Sequence, residues 1–218
     1  MASNPKGYAG WFEGRARQVV IRQLLEKAAP LPDPQPVHAK LPLKLCVQLI
    51  KRWRDIHYGE GPLAPISIVL TTLVAHAYRG EQSTVKAMEL ILTGISSMIR
   101  SSSGRLVVLN PANGDEDLSE RWEANPAAYR AFTSGIEEFE ARWKALFQLR
   151  GVDKVARALE QLFGEEVAKR VVEKQTRDIE AARARNELAM KKGSRIVTGL
   201  ATGTAISIPR NTFYGEKE

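Results

Sequence analysis

Pro65-Ile66-Ser67-Ile68-Val69-Leu70-Thr71-Thr72-Leu73-Val74-Ala75-His76-Ala77 is the stretch whose reading decides the fold. Its apolar residues Ile66, Val69, Leu70, Leu73, Val74 and Ala77 are spaced three, one, three, one and three apart, the recurrence of a helix face and not the alternation of a strand. Pro65 suits the first turn, where a missing N–H costs no intrahelical bond, and Ser67 then lies in that turn. Upstream, Gly61-Pro62-Leu63-Ala64 breaks the chain, and Cys46, Leu49, Ile50, Trp53 and Ile56 mark another helix from Pro42 to about Gly59. Before it, four alternating prolines between Pro30 and Pro36 predict a semi-rigid connector. Trp11, Val19, Val20, Leu24 and Leu25 predict a helix over 11–28.

Downstream, Val85, Met88, Ile91, Leu92, Ile95 and Ile99 give a helix over 82–99. Leu106–Leu109 is the only strand candidate before the tail, and Asn110–Gly114 reads as a turn. Leu118, Trp122, Tyr129, Phe132, Ile136, Phe139, Trp143 and Leu146 fit two helices split near Asn125-Pro126, and residues 152–191 fit one or two more. One short strand cannot build a sheet domain, so the expected fold is mainly α, a helical bundle over 1–192. From Gly193 the Gly, Thr, Ser, Ile and Pro composition predicts a flexible tail through 218.

Composition bounds the function. At 44% hydrophobic and 26% charged over 218 residues, the chain is of the globular class. Its apolar runs are too short for a membrane span and its N-terminus lacks a signal peptide's apolar stretch, which predicts a cytoplasmic protein without membrane partners. Cys46 is the single cysteine, so an internal disulfide or cysteine-based zinc site is excluded, and the three histidines are scattered. The net charge of +7 is uneven: residues 1–55 hold ten basic and four acidic residues, a net +6. Such a surface suits a polyanion, nucleic acid or a nucleoside triphosphate, and equally an ordinary solvated face.

Two consecutive helices joined by a short Gly/Pro link pack as neighbours, which brings Lys51 toward the helix that starts near Ser67. Lys51 offers a point charge for phosphate, and the helix start adds free N–H groups, a partial positive charge and the Ser67 hydroxyl. The alternative gives Lys51 an i,i+4 pair with Asp55 and leaves Ser67 as a cap.

Three blocks, Leu43 to Asp55, Ala64 to Leu73, and Leu109-Asn110-Pro111 through Arg121-Trp122, resemble the cGAS/DncV-like nucleotidyltransferases of CBASS anti-phage systems, relatives of oligoadenylate synthase. Asn4–Phe12 looks like the segment after that family's catalytic sheet, and Asn211–Gly215 like its tails. The resemblance implies the C-terminal helical lobe of an enzyme that makes cyclic di- or trinucleotides from ATP, GTP or another nucleoside triphosphate. By position it implies triphosphate contacts at Lys51 and Ser67, weaker candidates at Arg52 and Arg54, and Asn110 in a turn near the nucleotide. The family's catalytic mixed α/β lobe has no counterpart here: no Gly-Ser followed by an Asp-x-Asp strand precedes Asn4, and Gly193-Ser194 falls in the tail. The Mg²⁺ ligands of the full-length enzyme are thus expected off this chain, with no catalytic residue on it. Asp115-Glu116-Asp117 reads as the acidic start of a helix, not a metal pair. The chain alone is expected to be inactive and to work with a separate catalytic half. Other readings are a non-catalytic basic module that binds nucleic acid or protein, and a tail read by a CBASS accessory protein.

Overall fold

In the computed structural model, the described residues are 4–18, 41–185, 188–191, 195–198 and 205–207. The proline connector 30–36, the second half of the 11–28 helix and the Asn211–Gly215 ending lie outside them. The chain divides into two units, residues 1–150 with 161–163, and 151–160 with 164–218.

The first unit is helical, as its periodicity predicts. Helices α1 (Pro5–Ala16), α2 (Pro42–Tyr58), α3 (Ser67–Ala77) and α4 (Thr84–Ser101) are followed by strands β1 (Leu109–Asn110) and β2 (Asn113–Asp117), then α5 (Arg121–Ala124) and α6 (Pro126–Leu146). Helix α3 is the axis of the unit, packed by α1, α2 and α4, while α4 also carries α6. Its burial goes beyond the expected stripe: Val69 through Ala75 are all buried, so every face of the middle of α3 meets protein. Thr71 and Thr72 tolerate this because their hydroxyls donate to the carbonyls of Ser67 and Ile68, each at 2.8 Å. Pro65 precedes the helix, whose N-cap is Ile66, so Ser67 is its first residue.

Arg15 of α1 closes the other end of α3, donating to the carbonyls of Ala75 (2.8 Å), His76 (3.2 Å) and Tyr78 (2.6 Å). Positive charge at a helix C-terminus is favoured by the dipole and satisfies orphan acceptors. Gly59 ends α2 at φ 57°, a conformation natural to glycine. Helices α5 and α6 part at Asn125-Pro126, where the Asn125 side chain accepts from the Ala128 N–H at 3.1 Å. Trp53 stacks on Phe139 with centroids 4.7 Å apart, joining α2 to α6. There α6 comes so near α2 that a Cβ on Gly135 would meet the Tyr58 hydroxyl oxygen, which itself donates to the Ala131 carbonyl at 3.0 Å.

In the second unit, α8 (Glu165–Ala184) packs on strands β3 (Leu188–Lys191) and β4 (Arg195–Thr198). With β5 (Ala205–Ser207) they form an antiparallel sheet ordered β4-β3-β5, pairing Leu188 with Thr198 and Lys191 with both Arg195 and Ala205. Helix α7 (Val152–Phe163) gives residues 152–160 to this unit and its last three to the first. The helical expectation through residue 191 is corrected at its end: residues 188–191 are extended. Leu, Ala, Met and Lys favour helix intrinsically, but pairing on both sides overrides that preference. Among the described residues no helix is long and apolar enough to cross a membrane.

Candidate functional site

Helix α2 buries Leu43, Cys46, Val47, Ile50 and Trp53, and that stripe sets where its cations go. Arg52 and Arg54 flank Trp53 and diverge. The Arg52 Nε donates to the carbonyl of Phe163, the last residue of α7, at 2.8 Å. Arg54 turns toward α3, donating to the Ser67 hydroxyl oxygen and holding the Asp55 carboxylate through Nε at 2.9 Å. Lys51 stands one turn before Arg54 on the same helix, half-buried and without an ion pair among the described residues. Asp55 serves Arg54 and not Lys51, so the i,i+4 pair that would have explained Lys51 is not formed. The Ser67 hydroxyl meets Arg54 and not its own helix backbone. Arg54 and Ser67 thus meet where α2 meets the start of α3, with Lys51 one turn back along α2; a lysine and a helix start suit phosphate oxygens. Arg52 does not join them.

Asn110 sits apart, 5% exposed, at the β1–β2 hairpin. Its amide nitrogen donates to the Glu116 carboxylate at 2.6 Å and its side-chain oxygen accepts from the Ala112 N–H at 2.9 Å. Local bonding accounts for the side chain fully. Residues 113–117 form strand β2, which corrects the helix-start reading of the acidic run. Asp117 bonds Arg105 at 2.9 Å and the Ser119 N–H at 2.7 Å. Burial pushes its pKa up, but these bonds outweigh it and hold the carboxyl below its ordinary value. With Glu116 turned to Asn110 and Asp117 to Arg105, this run does not fit a magnesium site. Among the described residues no group of three His, Cys, Asp or Glu converges on a metal position. Cys46 is buried and its thiol is pushed up to about 12, by burial first and Glu81 second, so it is no nucleophile.

Beside the start of α3 lies a cavity of about 180 Å³ between the Pro62–Ile66 loop and the α5–α6 segment, walled by Pro62, Pro65, Ile66 and Trp122 and touched by Arg121 and Asn125. Periodicity gives no sign of it: Trp122 reads as core, with base stacking left open for it no more than for Trp11, Trp53 or Trp143. Nor does it choose between Arg52 and Arg54; the Ser67 side of the buried stripe would have been the signal.

No protein-family model matches the chain. It is 31% identical over 228 aligned residues, 99% of its length, to a c-di-GMP synthase of Roseivirga ehrenbergii, and covers 58% of that protein. Its fold resembles the CD-NTase CdnG of Bradyrhizobium diazoefficiens, solved in complex with GTP, with a TM-score of 0.60 and 24% identity. That match covers 78% of this chain and 55% of CdnG, so the chain spans a little over half the length of both. Along nearly its whole length the chain is thus similar in sequence to a c-di-GMP synthase, and along most of its length it shares the fold of a CD-NTase.

Proposed function

We propose that this chain is the C-terminal, substrate-binding lobe of a cytoplasmic nucleotidyltransferase that makes cyclic di- or trinucleotides from nucleoside triphosphates in CBASS anti-phage defence. The observation that carries the reading is the α2–α3 junction, where Arg54 meets Ser67 and Lys51, one turn back on α2, has no ionic partner among the described residues. Lys51 would neutralise phosphate oxygens, Arg54, whose fork holds the Asp55 carboxylate, would position the Ser67 hydroxyl, and that hydroxyl with the first N–H groups of α3 would fix orientation. Asn110 would act at a distance, by holding the hairpin. Mg²⁺, when bound, supplies the charge neutralisation that nucleotidyl transfer needs. Its carboxylate ligands are proposed to come from a catalytic half outside this chain, so the chain alone binds nucleotide and turns over none. A CBASS accessory protein that reads the tail is a further proposed partner.

The rival, a basic surface for nucleic acid, is less favoured by how the N-terminal cations are used. Arg15, Arg52 and Arg54 are bonded within the fold and Lys44 pairs with Glu13 at 2.6 Å.

Equilibrium dialysis with radiolabelled nucleoside triphosphates tests the site. Lys51→Ala is expected to weaken binding at least about tenfold, the scale of one charge-assisted phosphate contact, without changing the melting temperature. Unchanged binding would remove the site. With Mg²⁺ the chain alone is expected to form no cyclic product; product from the chain alone would refute the division of labour.

A further inference from the structure

We propose that the cavity beside Ile66 receives the base of the bound nucleotide and that Arg121 selects guanine there, an inference that rests on the triphosphate reading of the α2–α3 junction. At about 180 Å³ the cavity is smaller than the ~300–1,000 Å³ pockets that enclose whole ligands, yet it admits one flat ring system. Its walls are flat or aliphatic, with the Trp122 indole and two proline rings among them. Trp122 is held from behind by Phe132, at 4.5 Å between ring centroids, and by Tyr129, at 5.2 Å.

The polar groups at the cavity have one character. Arg121 carries only donors, and its side chain has no partner among the described residues. Asn125 spends its side-chain oxygen on the Ala128 N–H, which leaves its amide N–H groups. The Ser119 hydroxyl is consumed by Asp117, Arg105 and the Val108 N–H. Among the side chains that line the cavity, the uncommitted polar groups are therefore donors. Guanine presents two acceptors, O6 and N7, on a single edge and accepts a forked arginine; adenine sets an amino donor beside its N7 and meets Arg121 with a clash of donors. Ile66, which lines the cavity, is the neighbour of Ser67, so a base in the cavity and phosphates at Ser67 lie within the length of one nucleotide.

Equilibrium dialysis of the full chain against GTP, ATP, guanosine, adenosine and inorganic tripolyphosphate separates the two halves of the idea. Wild type is expected to prefer GTP to ATP by about tenfold, the discrimination of one bidentate base contact. Arg121→Ala should lower GTP to the ATP level and leave tripolyphosphate unchanged. Arg121→Lys, which keeps the charge but not the fork, should also lose the preference. Equal wild-type affinity for GTP and ATP, or a preference that survives Arg121→Ala, overturns the proposal. Should tripolyphosphate fail to bind, the phosphate reading falls by itself. The base site then stands if guanosine binds over adenosine in an Arg121-dependent way, and falls if it does not.

Discussion

Arg52 and Arg54 sit two residues apart in one helix and do unrelated work. Arg52 closes the end of α7 through one charged hydrogen bond, so Arg52→Ala is expected to destabilise the chain by about 1–2 kcal/mol in urea melts. Triphosphate binding should be unaffected. Arg54→Ala should do the reverse, weakening binding several-fold while stability moves by less than about 1 kcal/mol, since the Asp55 carboxylate it pairs with is half-exposed and can be rehydrated. A binding loss confined to Arg52→Ala would reassign the site. Sequence alone makes these two diverge around Trp53, because helical geometry does so for any i,i+2 pair. Which of them meets Ser67 is set by how α2 rotates against α3, and no local signal encodes that. Lys51 and Ser67 stand out in the sequence as candidates because a phosphate site needs a cation and a helix start, and both are written in order; their role in binding is the proposal that Lys51→Ala tests. Asn110 was legible as a turn residue, and the structure gives it that work.

Among elements, α3 was the most readable and still held more than its pattern. The 3-1-3-1-3 spacing fixes one face, whereas burial of Thr71 and Thr72 depends on the helices that close around the others. The acidic run misled because carboxylates before a helix are favourable anywhere, while pairing of β2 with β1 is specified by the Asn110 side chain folding back on Ala112. Helices α4 and α6 are joined by a polar device that titrates. Glu140 accepts from Thr93 at 2.9 Å and from Ser96, and pairs with Lys144. Burial raises its pKa, but bonds from Lys144, Ser96 and Thr93 prevail and depress it. A folded value below the unfolded one, near 4.5, means the stabilisation is complete above pH 4.5 and is lost as pH falls through the folded value. Glu140→Gln should therefore flatten the acid limb of the stability curve while lowering stability at pH 7; an unchanged acid limb would show that other carboxylates govern it.

For the whole molecule, the helical class followed from periodicity, and the split into units did not. Residues 152–160 and 161–163 share one helix, so no break in composition marks the boundary. The site is likewise a product of assembly: α2, α3 and the α5–α6 segment each look ordinary, and only their packing sets donors around a small cavity.

The close approach of Gly135 to Tyr58 bears on how this chain is free to drift. Gly135→Ala alone should cost about 1–3 kcal/mol, the usual penalty of overpacking. Combined with Tyr58→Phe, which clears the obstructing oxygen, it should cost measurably less than the two single losses added. Losses that simply add would show that the backbone yields instead. If they couple, the two positions are inherited as a pair: a lineage that acquires a side chain at 135 must first give up the hydroxyl at 58, and the order of those changes is fixed by their cost.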